Sequence, residues 1–370
     1  MEWQVWLGVA AIVIALTALG VALRIYARVA TMRRRLGPVV PQALAGQGPR
    51  RIAVVVNPSK AGTVGLRNRV RAACVERGLP PPVFYETTVE DPGQGHARRA
   101  VEEGADVVVA AGGDGTVRAV AEALVGGEVP MGVIPVGTGN LLARNLEVSV
   151  TDAERAIAVV LDGRTRAIDV GWLRVEEFAP DDDPTDPAEP PHDTTIEHIF
   201  LVIAGLGFDA AMVAGADPAL KKRVGWMAYF VAGLPHLRAR RLRARIWLDD
   251  EPPADARLRS IMIGNCGMLP GGITLLPDAV LDDGVLDVAA ADVRGGVLGW
   301  AQLTVEVAMQ GFGVRSDLPE KLGRIDHATC RRARVRVSGG DEVQVDGDPL
   351  GRAVQISARV EPAALQVRAP

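Results

Sequence analysis

The 370-residue chain has room for two domains and an extra segment. Its 48% hydrophobic and 23% charged residues fit a folded protein, and with only 4% aromatics the core must rest on Val, Ala, Leu and Ile. A net charge of −4 argues against a mainly nucleic-acid-binding role, and three distant cysteines, Cys74, Cys266 and Cys330, give neither a zinc site nor a disulfide framework and suit a reducing compartment.

Residues 5–23 form an uncharged apolar run, close to the ~20 residues that a membrane-spanning helix needs. Arg24, Arg28, Arg33, Arg34 and Arg35 follow it, and only Glu2 precedes it. That charge order is opposite to a secretory signal peptide, so the run predicts a retained anchor with the remainder on the cytoplasmic side. Residues 37–50 are rich in Pro and Gly and read as a linker, which completes an anchor-and-linker segment over 1–50.

An α/β pattern then occupies residues 51–150. Strands are predicted at 51–56, 83–88, 106–111 and 132–136, and helices at 66–76, 96–103, 117–124 and 141–144. Alternation of this kind means a parallel sheet with helices on both faces. Three strands end in polar or glycine turns: Asn57-Pro58-Ser59-Lys60-Ala61-Gly62, Gly112-Gly113-Asp114-Gly115-Thr116, and Gly137-Thr138-Gly139-Asn140. Glycines let a backbone approach an anion closely, and the helix that follows offers unpaired N–H groups. Asp114 is either a helix cap or an acid with work at a phosphate, such as accepting a proton or holding Mg²⁺. Recurrence of three such turns in order favours a nucleotide site.

From residue 151 to 370 the pattern changes. A helix is expected at 151–162, then short strands at 167–175, 199–204, 244–248, 259–264, 285–290, 333–337, 342–345 and 353–360. Many strands with few helices predict an antiparallel β-sandwich, with a C-terminal segment that can pack back on the first domain. Residues 176–195, acidic and proline-rich, are expected to form a mobile surface loop. Residues 218–241 carry Trp226, Tyr229 and Phe230 between basic flanks, and suit either a core helix or a helix lying on an anionic membrane. The five histidines, His96, His192, His198, His236 and His327, lack metal-ligand spacing and read as surface or structural. Residues 278–288 hold clustered aspartates around a glycine, which fits either a hard cation or an Asp-Gly hairpin. Asp346-Gly347-Asp348 places two more carboxylates after a strand.

Taken together, NPSKAG, Glu86-Thr87-Thr88, GGDGTVR, PVGTGN, Gly205 to Ala210 (GLGFDA), the DDGVLDV stretch and DGDPL resemble the diacylglycerol kinase catalytic-domain family of bacterial lipid kinases and sphingosine kinases. The resemblance implies an α/β nucleotide domain similar to those of NAD kinases and phosphofructokinases, a C-terminal β-sandwich, and a cleft between them. It implies ATP contacts at Asn57, Pro58, Ser59, Lys60, Ala61, Thr88 (or Thr87), Gly112, Gly113, Asp114, Gly115, Thr116, Val117, Arg118 and Thr138. It puts Asp114 at the reacting centre, with Mg²⁺ bridging the phosphates, and Asp209 near the acceptor. A structural Mg²⁺ would map to Asp283 with the carbonyls of Val280 and Val285. The family's base is the glutamate of a DGE motif, which is Asp348 here, one methylene shorter; Asp114 is the alternative base. GTGN also lacks the following Asp of many relatives. The activity implied is ATP-dependent phosphorylation of a lipid hydroxyl, on diacylglycerol or a sphingoid-like lipid. The expected partners are a membrane lipid and the bilayer but no nucleic acid, with a homodimer admissible. An NAD kinase-like phosphotransferase and an inactive nucleotide- or lipid-binding protein are the rival readings.

Overall fold

A computed structural model describes residues 51–180, 193–207, 241–268, 275–293 and 323–370. The expected anchor and linker at 1–50, the core of the acidic loop at 181–192, the amphipathic stretch at 218–240, and Asp209 lie outside the described residues. Among the described residues no helix is long and apolar enough to cross a membrane.

Four parallel strands open the fold: β1 (Ile52–Val56), β2 (Val83–Glu86), β3 (Val107–Gly112) and β4 (Met131–Pro135), in the order β2-β1-β3-β4. Their near-continuous Val and Ala content reflects burial on both faces. On one face Val55 and Val108 pack with α2 (Gln94–Glu102) and α3 (Asp114–Leu124); on the other Val54 and Val109 pack with α1 (Leu66–Glu76) and α5 (Ala153–Asp162). The short α4 (Leu141–Asn145) follows β4. Asp152 caps α5, accepting from the N–H groups of Glu154 and Arg155.

The rest is antiparallel: β5 (Arg164–Phe178), β6 (Glu197–Phe200), β7 (Ile203–Gly207), β8 (Leu242–Leu248), β9 (Ala254–Leu258), β10 (Ser260–Gly264), β11 (Leu286–Val293), β12 (Gly323–Cys330), β13 (Arg332–Val345) and β14 (Asp348–Ala369). Its core, including Leu173, Phe200, Leu206, Ile261, Val335 and Ile356, comes from strands alone. β14 crosses back to the parallel sheet, pairing Val367 with Met131 of β4.

Two expectations need correction. Short strands predicted at 333–337, 342–345 and 353–360 are parts of the long β13 and β14, whose register shifts at Arg336/Asp341 absorb a bend. The acidic loop does not start at Glu176: Glu176, Glu177 and Phe178 continue β5, because Arg334 and Gln355 bond Glu176 and Arg336 pairs with Glu177.

Candidate functional site

The three turns meet at the C-terminal edge of the parallel sheet, where open α/β folds bind ligands. Asn57 donates its N–H to the Ala111 carbonyl (3.1 Å), which ties the first turn to the end of β3. Its Oδ1 accepts from the Ser59 N–H (3.0 Å) and Oγ–H (2.7 Å), a side-chain turn that tightens NPSKAG. Pro58, Ser59 and Lys60 are exposed, and Ala61 opens a single 3₁₀ turn. A methyl added at Gly113 would lie 3.8 Å from Lys60 Cε, so the lysine stem passes over the second turn.

The second and third turns cross backbone to backbone. A Cβ on Gly137 would fall 2.6 Å from Gly113 Cα, and one on Gly112 would fall 2.4 Å from Thr116 Cβ. No other residue type fits these positions without a shift of main chain. Thr138 is exposed on this rim, whereas Thr116 and Val117 are buried beneath it. Asn140 takes the left-handed conformation (φ 50°, ψ 48°) and clips its amide to Gly137, accepting its N–H at 3.0 Å and donating to its carbonyl at 2.7 Å.

Asp114 joins the two turns. Its carboxylate accepts from the N–H groups of Asn140 (2.9 Å) and Leu141 (2.6 Å), at the start of α4. The acid therefore caps a neighbouring helix rather than its own.

The strand unit delivers the fourth part. Asp346 and Gly347 form the two-residue turn between β13 and β14, with φ of 48° and 86°; two positive φ values are what a type I′ hairpin requires and what Asp-Gly readily supplies. Asp346 is buried and accepts from three successive N–H groups, Leu201 (2.7 Å), Val202 (3.0 Å) and Ile203 (2.9 Å). Burial pushes its pKa up to about 6, partly offset by these donors and by Arg118. Asp348 thereby lands on α3: it forms an ion pair with Arg118, and a Cβ on Gly115 would lie 3.8 Å from its Oδ2. Arg118 follows Asp114 by one helical turn, so GGDGTVR and DGD, 230 residues apart, share one face. His198 on β6 adjoins this face; burial and the Arg118 cation push its pKa below the usual histidine value.

The other expected residues make local bonds. Thr88 is exposed, and its Oγ1 accepts from the Asp91 N–H at 3.1 Å, a turn at the entrance to α2; its buried neighbour Thr87 donates its N–H to the Val56 carbonyl. Val280 is exposed, and Asp283 accepts from the Val285 N–H at 3.2 Å. Buried Asp169 holds this loop, accepting from Gly284 (2.6 Å) and Ala363 (2.7 Å). Burial and the nearby Asp283 and Asp278 raise Asp287 to about 6. Among the described residues no group of three or more His, Cys, Asp or Glu side chains is placed to hold a metal. Asp169, His198 and the anchoring role of Asp346 were not singled out from sequence. The Asp-Gly dipeptide between two strands was the available signal for Asp346; the partners of Asp169 and His198 are distant in sequence and left none.

A phosphate-type glycine cradle on an α/β sheet, with a strand unit setting a carboxylate against its helix, defines a two-part phosphotransferase. Comparison with known proteins agrees. The "Diacylglycerol kinase catalytic domain" profile matches residues 51–173, and the "YegS C-terminal NAD kinase beta sandwich-like domain" profile matches residues 202–369. The chain is 33% identical over 278 residues to a protein named diacylglycerol kinase from Mycobacterium tuberculosis, covering 73% of this chain and 79% of that one. It is 30% identical over 328 residues to a Pseudomonas aeruginosa protein named "Probable lipid kinase YegS-like", covering 86% and 94%. A solved diacylglycerol kinase structure from Bacillus anthracis superposes with a TM-score of 0.60 at 17% identity, over 88% of this chain and 99% of that one. The chain belongs to the diacylglycerol kinase catalytic-domain family and has its fold, including the C-terminal β-sandwich.

Proposed function

We propose that the protein is a membrane-anchored lipid kinase that transfers the γ-phosphate of ATP to a lipid hydroxyl. The observation that carries this reading is the docking of Asp348 on the GGDGTVR helix through Arg118. Phosphoryl transfer asks a protein for positioning, donors around phosphate, and a carboxylate to take the acceptor's proton.

The crossed glycines 113 and 137 leave a cradle without side chains, which fits a polyphosphate; the first turn of α3 adds N–H groups that lack intrahelical partners. Lys60 and Arg118 supply positive charge beside it. ATP with Mg²⁺, when bound, supplies the phosphoryl group and neutralises its charge. Asp114 holds the two turns together beside the cradle, where its carboxylate would face a hydrated cation brought in with the nucleotide. Asp348 accepts the proton of the lipid hydroxyl as that oxygen attacks, and Arg118 fixes the carboxylate in place. On the family's pattern a structural Mg²⁺ would be held by Asp283 with the carbonyls of Val280 and Val285, and would brace the loop that carries them. The apolar run at 5–23 anchors the chain, so the cleft meets a substrate already held in the bilayer.

Incubation with labelled ATP and a panel of purified lipids tests the reading: a labelled phospholipid is expected. Label appearing only in NADP after incubation with NAD would assign a soluble-substrate kinase. The DGD motif, which puts the shorter Asp348 where the family's base is a glutamate, favours one second reading, an inactive nucleotide- or lipid-binding member of the family. Absence of any labelled product, with ATP still bound, would support it.

A further inference from the structure

A second face of the strand unit carries a pattern that phosphotransfer does not use. Along β13, exposed Arg332, Arg334 and Arg336 alternate with buried Ala333, Val335 and Val337. Along β8, exposed Arg243 and Arg245 alternate with buried Leu242 and Ala244, and neighbouring β9 adds exposed Arg257. Successive strand side chains point to opposite faces, so the buried set feeds the core and six arginines line the other side. The strands lie in the order β13-β8-β9, with Arg336 opposite Arg245 and Arg243 opposite Arg257.

Acids neutralise part of this ladder. Arg245 bonds Asp255 at 2.8 Å, Arg336 pairs with Glu177 at 2.9 Å, and Arg334 with Glu176 at 3.1 Å. Arg243 and Arg257 differ: among the described residues neither side chain has an acidic or hydrogen-bonding partner, yet they face each other directly across two strands. Like charges in that position are destabilising. With Arg245 and its partner Asp255, Arg336 and Ser338 they line an open cleft of about 480 Å³ in which the arginines outnumber the one acid. Such a pair is relieved by an anion between the two guanidinium groups, and the planar fork of arginine matches phosphate oxygens in pairs.

We propose that this arginine face docks on the anionic surface of a phospholipid bilayer, with the Arg243–Arg257 pair taking a lipid phosphate. Charge complementarity carries the inference. The choice of a bilayer over another polyanion rests on the lipid-kinase reading above and on the chain's net charge of −4, which is unlike that of a nucleic-acid binder. β13 then links two tasks, since it starts on the docking face and ends at the hairpin that presents Asp348.

The test uses the full-length chain with Ser338→Cys carrying a fluorophore. All three native cysteines are buried, so labelling is selective, and the readout does not involve catalysis. The protein is reconstituted into vesicles of phosphatidylcholine alone or mixed with phosphatidylglycerol, and quenching by acrylamide is measured. Anionic vesicles should shield the label at low salt and release it at high salt. In Arg243→Gln/Arg257→Gln the docked-to-undocked ratio should fall roughly 30-fold. Equal quenching in both vesicle types would overturn the proposal. So would shielding by inorganic phosphate or duplex DNA when anionic vesicles give none. A failed kinase assay with intact shielding would reject the lipid-kinase reading alone.

Discussion

At the scale of single residues, the site depends on three aspartates with different tasks. Asp346 anchors, Asp348 is presented, and Asp114 ties two turns together. Asp346 and Asp287 both have pKa values raised to about 6 in the folded protein. A raised carboxyl pKa means that the folded state binds the proton more tightly than the unfolded chain. The stability it contributes is complete below the unfolded value and is lost as pH rises through about 6. Melting temperature should therefore be higher at pH 5 than at pH 7.5. Asp346→Asn, which cannot ionise, should shrink that difference; an unchanged difference in thermal melts would contradict the assignment. Glu197 and Asp282 act oppositely: bonds from Arg359 and Arg166 hold them below the usual carboxylate range, and their contribution is lost on acidification. Asp114→Ala would leave the Asn140 and Leu141 N–H groups without their acceptor. It should cost about 1–3 kcal/mol in urea denaturation and abolish phosphoryl transfer while the protein still folds. Transfer within about threefold of wild type would contradict its place at the centre.

At the scale of elements, the glycine turns behave as one crossed unit. Gly137→Ala would force a methyl to within 2.6 Å of Gly113 Cα, and the two turns must part. A displacement of about 1 Å costs up to roughly 100-fold in a positioned reaction, so kcat/KM for ATP should fall by about that factor in steady-state assays. The four parallel strands and their helices were readable from the sequence because burial on both faces leaves runs of Val and Ala that nothing else explains. The long strands were not. Glu176, Gly339 and Gly340 look like loop residues; distant partners hold Glu176 in its strand, and the two glycines turn through positive φ at an irregularity that pairing resumes beyond. The site was half legible for the same reason. NPSKAG, GGDGT, GTGN and DGD are local patterns, whereas the bonds from Asp114 to Asn140 and from Asp346 to Leu201 join segments that only the fold brings together.

At the scale of the whole molecule, the family's two units are stitched by β14, which begins at the Asp346-Gly347 hairpin and ends beside β4. This continuity holds the strand unit's carboxylate against a helix of the other unit. If residues 5–23 span the bilayer, detergent and not high salt should release the full-length protein from membranes; release by salt alone in a sedimentation assay would remove the anchor from the account. The most direct measurement is single-turnover transfer from labelled ATP to lipid by the wild type and by Asp348→Ala, with ATP binding followed in parallel. The account predicts labelled phospholipid from the wild type, a loss of about 100-fold or more in Asp348→Ala, and ATP binding unchanged in both. Equal transfer rates in the two proteins would contradict it.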